Sequence, residues 1–122
     1  MISLLYISVG GALGAMFRYL ISGIFFSGPK GILFCNLLGC FAIGIVFSIV
    51  NSKFNLSKDI INFFTIGFLG SFTTFSTFSL NIYQLYIDKQ FLFIVIYLSS
   101  SILGGILLLI IGILLSDFII SK

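Results

Sequence analysis

The amino-acid sequence predicts an all-α membrane protein with four transmembrane helices, the third of them broken. Three observations carry that expectation. The 122 residues are 60% hydrophobic and only 7% charged, with a mean hydropathy of +1.31. A water-soluble domain of this length has no interior large enough to hide so much apolar surface, so lipid must be the solvent for much of it. Three short polar breaks divide the chain into four apolar segments, each reaching the roughly 20 residues that cross a hydrocarbon core of about 30 Å. Within the third segment, Gly67-Phe-Leu-Gly-Ser-Phe-Thr-Thr-Phe-Ser-Thr-Phe-Ser79 places two glycines before a run dense in β-branched threonines. That is a poor recipe for an unbroken helix.

The first segment covers about residues 3–26 and ends at Ser27-Gly-Pro-Lys30, a turn holding the only proline. Its opening, Met1-Ile-Ser-Leu-Leu-Tyr, lacks the basic start of a cleavable signal peptide, and the segment is expected to be a retained first helix. The second covers about 31–50 and ends in the polar stretch Asn51 to Lys58. The third covers about 59–86, with Ser57 placed to cap it and Asp59 in its first turn. It stops at Asp88-Lys-Gln90. The fourth covers about 91–116, where Ser116-Asp117 is expected to begin a frayed end. Together these make one integral membrane domain, residues 1–122, multi-pass in the cell membrane.

Charge narrows the function. Six Lys or Arg face three acids, for a net +3. The cations are scattered between the apolar segments, which is no nucleic-acid signal. The acids are Asp59, Asp88 and Asp117, and the chain has no glutamate, histidine or tryptophan. That removes most familiar proton relays and hydrolytic sites, so an enzyme is not expected. Four crossings put Lys53, Lys58 and Lys122 on one side and Lys30, Lys89 and the nearby Arg18 on the other. The positive-inside rule therefore gives no decision. Such balance suits a protein that inserts both ways round and assembles as an antiparallel dimer. Cys35 and Cys40 point about 140° apart on a helix and read as small packing residues. Gly10 with Gly14, Gly11 with Ala15, and Gly104 and Gly105 with neighbours a turn away have the spacing that lets membrane helices approach closely.

Polar residues inside a membrane cost free energy and tend to mark function. Asn36 is isolated among apolar neighbours; its amide suits either an anion or a bridge between helices. Tyr97 and Ser101 lie one turn apart on one helix face, although Tyr97 also suits an interfacial belt and the serines can bond back to their own helix. Arg18 suits either snorkelling to the interface or the mouth of an anion path. If the third segment is helical, Phe72, Phe75 and Phe78 form one stripe. It would ordinarily be lipid contact or core, but here it is interleaved with Thr73, Thr74, Ser76 and Thr77. Ring edges are positive and hydroxyls donate, so such a stripe can pass a small anion along without a strong cationic trap. Carbonyls freed at a helix break have the opposite polarity and suit a cation.

Three motifs then coincide. Gly10-Gly-Ala-Leu-Gly-Ala-Met-Phe-Arg18-Tyr19, Asn36-Leu-Leu-Gly39-Cys-Phe with Gly44, and Gly67 through Phe78 resemble, in order, the Fluc (CrcB) family of fluoride channels. The resemblance spans three of the four helices. It implies a passive, fluoride-selective channel exporting fluoride from the cytoplasm, built as an antiparallel, dual-topology homodimer. It implies Phe75 and Phe78 as pore phenylalanines, Asn36 lining the path, and a hydroxyl track on Tyr97 and Ser101; Ser76, Thr77 and Arg18 join the candidate path on their own donor and charge chemistry. It also implies a structural Na⁺ at the dimer interface, held by the main-chain carbonyls of Gly70 and Thr73. Two positions depart from the pattern: Gly105 stands where a hydroxyl is frequent, and Asn81 where many members have glutamate. The rival is a small multidrug transporter, similar in length and topology. Such transporters use a membrane glutamate, and this chain has none. A non-transporting assembly subunit would leave Asn36 and the hydroxyl-rich break without purpose.

Overall fold

The computed structural model describes residues 1–26, 28–52 and 54–121. Ser27, in the expected first turn, and Lys53 and Lys122, in the charge comparison, lie outside the described residues. Every regular element among those described is helical. Helix α1 (Ile2–Tyr19) passes into a wider π-helical stretch, Leu20–Phe25, and α2 covers Pro29–Asn51. The third span is composite: α3 (Lys58–Asn62), a π-helical stretch Phe63–Leu69, α4 (Gly70–Phe72) and α5 (Phe75–Ile87). Helix α6 covers Phe91–Ile120. The four spans, Ile2–Phe25, Pro29–Asn51, Lys58–Ile87 and Phe91–Ile120, are 24, 23, 30 and 30 residues long. At 1.5 Å per residue even the shortest exceeds a hydrocarbon core of about 30 Å.

Local chemistry sets the ends. Gly28 takes φ 72°, a left-handed conformation open to glycine at little cost, and Pro29 follows at the first helical position of α2, where its missing N–H is no loss. The Ser57 hydroxyl accepts from the Ile60 N–H and caps α3, with Asp59 in the first turn. Asp59 itself accepts from the Ser3 hydroxyl at 2.5 Å, tying the start of α1 to the third span. A turn through Asp88 and Lys89 (φ 56°) leads into α6.

Two seams hold the bundle. Along the α2–α6 seam, a methyl added to Gly44 would collide with the Leu109 carbonyl, and one added to Gly112 with the Phe41 carbonyl. Backbone therefore rests on backbone at both points, the contact that small residues permit in membranes. Along the second seam, Gly10 and Gly14 of α1 are buried against the π-helical stretch, at Phe63 and Phe68. The expected frayed end at Ser116-Asp117 is corrected here. Helix α6 continues to Ile120, Ser116 is buried, and the Asp117 carboxylate accepts a short hydrogen bond from the buried Ser48 hydroxyl of α2. An acid near a helix C-terminus opposes the helix dipole, and that bond from α2 steadies it. Large apolar side chains elsewhere point outward, Leu92, Ile106 and Leu114 among them. That surface suits lipid.

Candidate functional site

Between α4 and α5 the backbone is extended at two residues, Thr73 (φ −86°, ψ 156°) and Thr74 (φ −150°, ψ 125°). In a continuous helix the Thr74 N–H would donate to the Gly70 carbonyl. Here it donates instead to Asn36 Oδ1 at 2.9 Å, while Asn36 Nδ2 donates to the Thr74 carbonyl at 3.2 Å. One side-chain amide of α2 thus satisfies both main-chain groups of Thr74, as a buried backbone demands. Asn36 keeps one N–H, since a primary amide carries two. The bridging and donor roles open to Asn36 in the sequence are compatible in one side chain.

Thr74 organises the next turn as well. Its hydroxyl accepts from the Thr77 N–H at 3.3 Å, capping α5, and lies 3.1 Å from Ser76 Oγ and 3.3 Å from Thr77 Oγ1. The Thr73 hydroxyl donates back to the Leu69 carbonyl at 3.0 Å. Gly39, one turn from Asn36, makes room: a methyl there would strike Thr73 Cγ2. The Gly70 and Thr73 carbonyls each lose a helical donor, because the Thr74 and Thr77 N–H groups turn to Asn36 and the Thr74 hydroxyl.

These groups line a groove of about 410 Å³. Of the residues singled out from the sequence, Asn36, Gly70, Thr73, Phe75, Phe78 and Ser101 line it. Among the described residues no charged side chain does. Ser101 Oγ is buried and among the described residues makes no hydrogen bond, so it does not bond back to its helix. Ser76 and Thr77 are not among the groove's lining residues; their hydroxyls are tied to that of Thr74, which is. Tyr97 lies behind Phe78 and is 5% exposed, which places it in the interior and not in an interfacial belt. Arg18, on α1, is half-buried and does not line the groove. A second cavity of about 430 Å³ is as large, but among the described residues its lining is apolar apart from Ser116.

The three phenylalanines of the expected stripe, Phe72, Phe75 and Phe78, divide into two groups. Phe75 and Phe78 lie 5.7 Å apart, and Phe78 and Tyr97 5.0 Å apart, a ladder of tilted rings. It runs inward from Phe75, 79% exposed, to Phe78, 7% exposed. Phe72 is not part of it. That ring stacks on Phe68, which meets Phe17 edge-on. The single stripe expected of a helical third segment is therefore split, because the extended residues Thr73 and Thr74 reset the helical phase between Phe72 and Phe75. Sequence reasoning missed Thr74 as the organising residue. Its signal was the spacing Thr74-x-x-Thr77, a hydroxyl three residues ahead of the N–H it caps.

A family model described as CrcB-like protein, Camphor Resistance (CrcB), matches residues 5–113. A Staphylococcus aureus (strain NCTC 8325 / PS 47) protein named fluoride-specific ion channel FluC 1 is 41% identical over 110 residues, covering 88% of this chain and 91% of its own length. A Listeria monocytogenes serotype 4b (strain F2365) protein named fluoride-specific ion channel FluC 2 is 37% identical over 120 residues, covering 97% and 93%. One from Staphylococcus saprophyticus, also named FluC 2, is 39% identical over 111 residues, covering 89% and 92%.

Proposed function

The chain belongs to the CrcB family, and from that premise we propose how it works as a fluoride channel of the membrane, a passive conduit and not an enzyme. The observation that carries the mechanism is the Asn36–Thr74 pairing, which opens the third span and sets amide, hydroxyl and ring in one uncharged groove. Fluoride is small and strongly hydrated, so a path must replace its water with donors. The free Asn36 N–H, the unpartnered Ser101 hydroxyl and the positive edges of Phe75 and Phe78 supply them. None carries a full charge, so the ion is held weakly and released, as conduction requires. Tyr97 continues the path behind Phe78. Arg18, off the groove, raises the local anion concentration at its approach. Ser76 and Thr77 keep the first turn of α5 in place through Thr74. The flow this permits is export from the cytoplasm, down the ion's own gradient.

The third span acts as a broken helix, and the working unit is an antiparallel, dual-topology homodimer. Two features support the dimer. Phe75, a ring of the proposed path, is largely exposed on the single chain, and a second copy would cover it. The balanced cations on the two sides favour insertion in both orientations. The carbonyls of Gly70 and Thr73, deprived of their helical donors, suit a hard cation that prefers oxygen ligands. A structural Na⁺ bound there would neutralise the two carbonyl dipoles and fix the break at the dimer interface. Among the described residues no cluster of His, Cys, Asp or Glu offers a metal site, so carbonyl ligation is the fitting chemistry.

The test is efflux. Purified protein in liposomes loaded with potassium fluoride should release fluoride on addition of a potassium ionophore, and release chloride far more slowly. Equal rates for both anions, or no fluoride release from the single purified chain, would overturn the reading.

A further inference from the structure

The second cavity, of about 430 Å³, lies at one end of the α2–α6 seam. Its walls include Ile45 and Ile49 of α2, Phe54 and Leu56 of the following loop, and Leu115 and Ile119 of α6. Helix α2 ends at Asn51, so Ile45 lies about 9 Å further in along the axis. Because α2 is scarcely longer than the hydrocarbon core, that part of the cavity sits at acyl-chain depth. The loop above it is polar, with Asn51, Asn55, Ser57 and Lys58 exposed. Only Phe54 and Leu56 of the loop reach the cavity. An apolar hollow below a polar rim matches an amphiphile.

What can fill it is limited by what surrounds it. Phe54, Leu115 and Ile119 are exposed as well as lining the cavity, so it opens sideways onto the outward apolar face of α6, which lipid bathes. The proposed second copy is placed elsewhere. Ile45 lies nine residues after Asn36, about 180° round α2 at 3.6 residues per turn. The cavity and the groove that the partner would cover are therefore on opposite faces of that helix. Left empty, the hollow forfeits dispersion contacts along its walls, and its apolar lining offers water too few hydrogen-bond partners. We infer that the cavity is a binding site for one acyl chain of a membrane phospholipid, whose headgroup meets the polar loop. The bound chain ties the loop between the second and third spans to the end of the fourth.

The chain has no tryptophan, so Phe54→Trp supplies a single emitter on the cavity wall. The variant is placed in vesicles of phosphatidylcholine brominated on one acyl chain, mixed in steps with the unbrominated lipid. Bromine quenches tryptophan only near contact, so emission should fall as the brominated lipid replaces the plain one. Adding Ile45→Phe and Ile49→Phe fills the cavity from α2 and should relieve most of that quenching. Adding Leu114→Phe instead, on the exposed face of α6, should leave the quenching unchanged. An emission that bromine does not touch would mean that protein closes or covers the cavity, and would overturn the inference. Quenching as strong after filling would mean that the ring senses only bulk lipid, and would overturn it equally. Leu56→Trp as emitter and Ile119→Phe as filler give the same readings from other walls, should either first choice fail to assemble. The readout does not involve fluoride, so a failure of the channel reading would leave this test standing.

Discussion

Replacing Asn36 with leucine keeps the branching and the heavy-atom count of the side chain and removes both bonds to Thr74. The Thr74 N–H and carbonyl then lose their partners in the middle of a membrane span. Each intramolecular hydrogen bond contributes about 0.5–1.5 kcal/mol net where water replaces it, and an orphaned buried group costs about 1–3 kcal/mol. Asn36 is half-buried on an open groove, so the lower range applies, and two bonds give a loss of about 1–3 kcal/mol. The Thr74 N–H has one cheap recourse, to return to the Gly70 carbonyl and close the helix. Asn36→Leu should therefore abolish fluoride efflux in liposomes while lowering thermal stability in detergent by no more than that range. A variant as stable as the parent and still conducting would show that the amide neither pins the extended residues nor serves the ion.

Three further outcomes follow from the packing. Phe75→Ile should reduce fluoride flux sharply with little effect on the fold of the single chain, where the ring is 79% exposed, so that any loss of stability falls on the proposed dimer contact; Phe78→Ile should reduce flux and the stability of the chain's own fold together, because that ring is 7% exposed. Equal stability losses, read by thermal unfolding, would contradict this. Gly44→Ala or Gly112→Ala should destabilise by about 1–3 kcal/mol, the usual cost of overpacking, since the new methyl meets a carbonyl of the facing helix. Gly104→Ala should be nearly silent in the same melt, since its methyl meets only the flexible end of Leu37, at 3.2 Å. Replacing sodium with a large organic cation should weaken dimer association measured by fluorescence transfer in bilayers; unchanged association would remove the proposed Na⁺.

The four spans were legible because length and apolarity are strong signals that do not depend on contacts. Ser57 was legible as a cap for the same local reason: its hydroxyl acts three residues ahead. What the sequence left open depends on partners far along the chain. Asn36 could be a bridge or an anion donor until Thr74, 38 residues away, was seen to hold both ends of its amide. The phase of Phe72 relative to Phe75 could not be read without the two extended residues between them. Asp117 looked like a loose end because its partner, Ser48, lies 69 residues earlier. The glycines of the first and fourth spans were recognised as packing positions. The pairing of Gly44 with the fourth span escaped notice because nothing in either segment names the other.

The Asn36–Thr74 pairing also carries an order of events. A third span entering the bilayer by itself would have every reason to wind into a continuous helix, since lipid satisfies no free N–H or carbonyl. The group that makes the extended residues affordable sits on α2, which emerges from the ribosome first. The second span is thus a template for the third, already waiting in the membrane when Thr74 arrives. Moving the asparagine to a later span would leave the same final contacts possible on paper, yet the nascent third span would meet no partner and would close before one came.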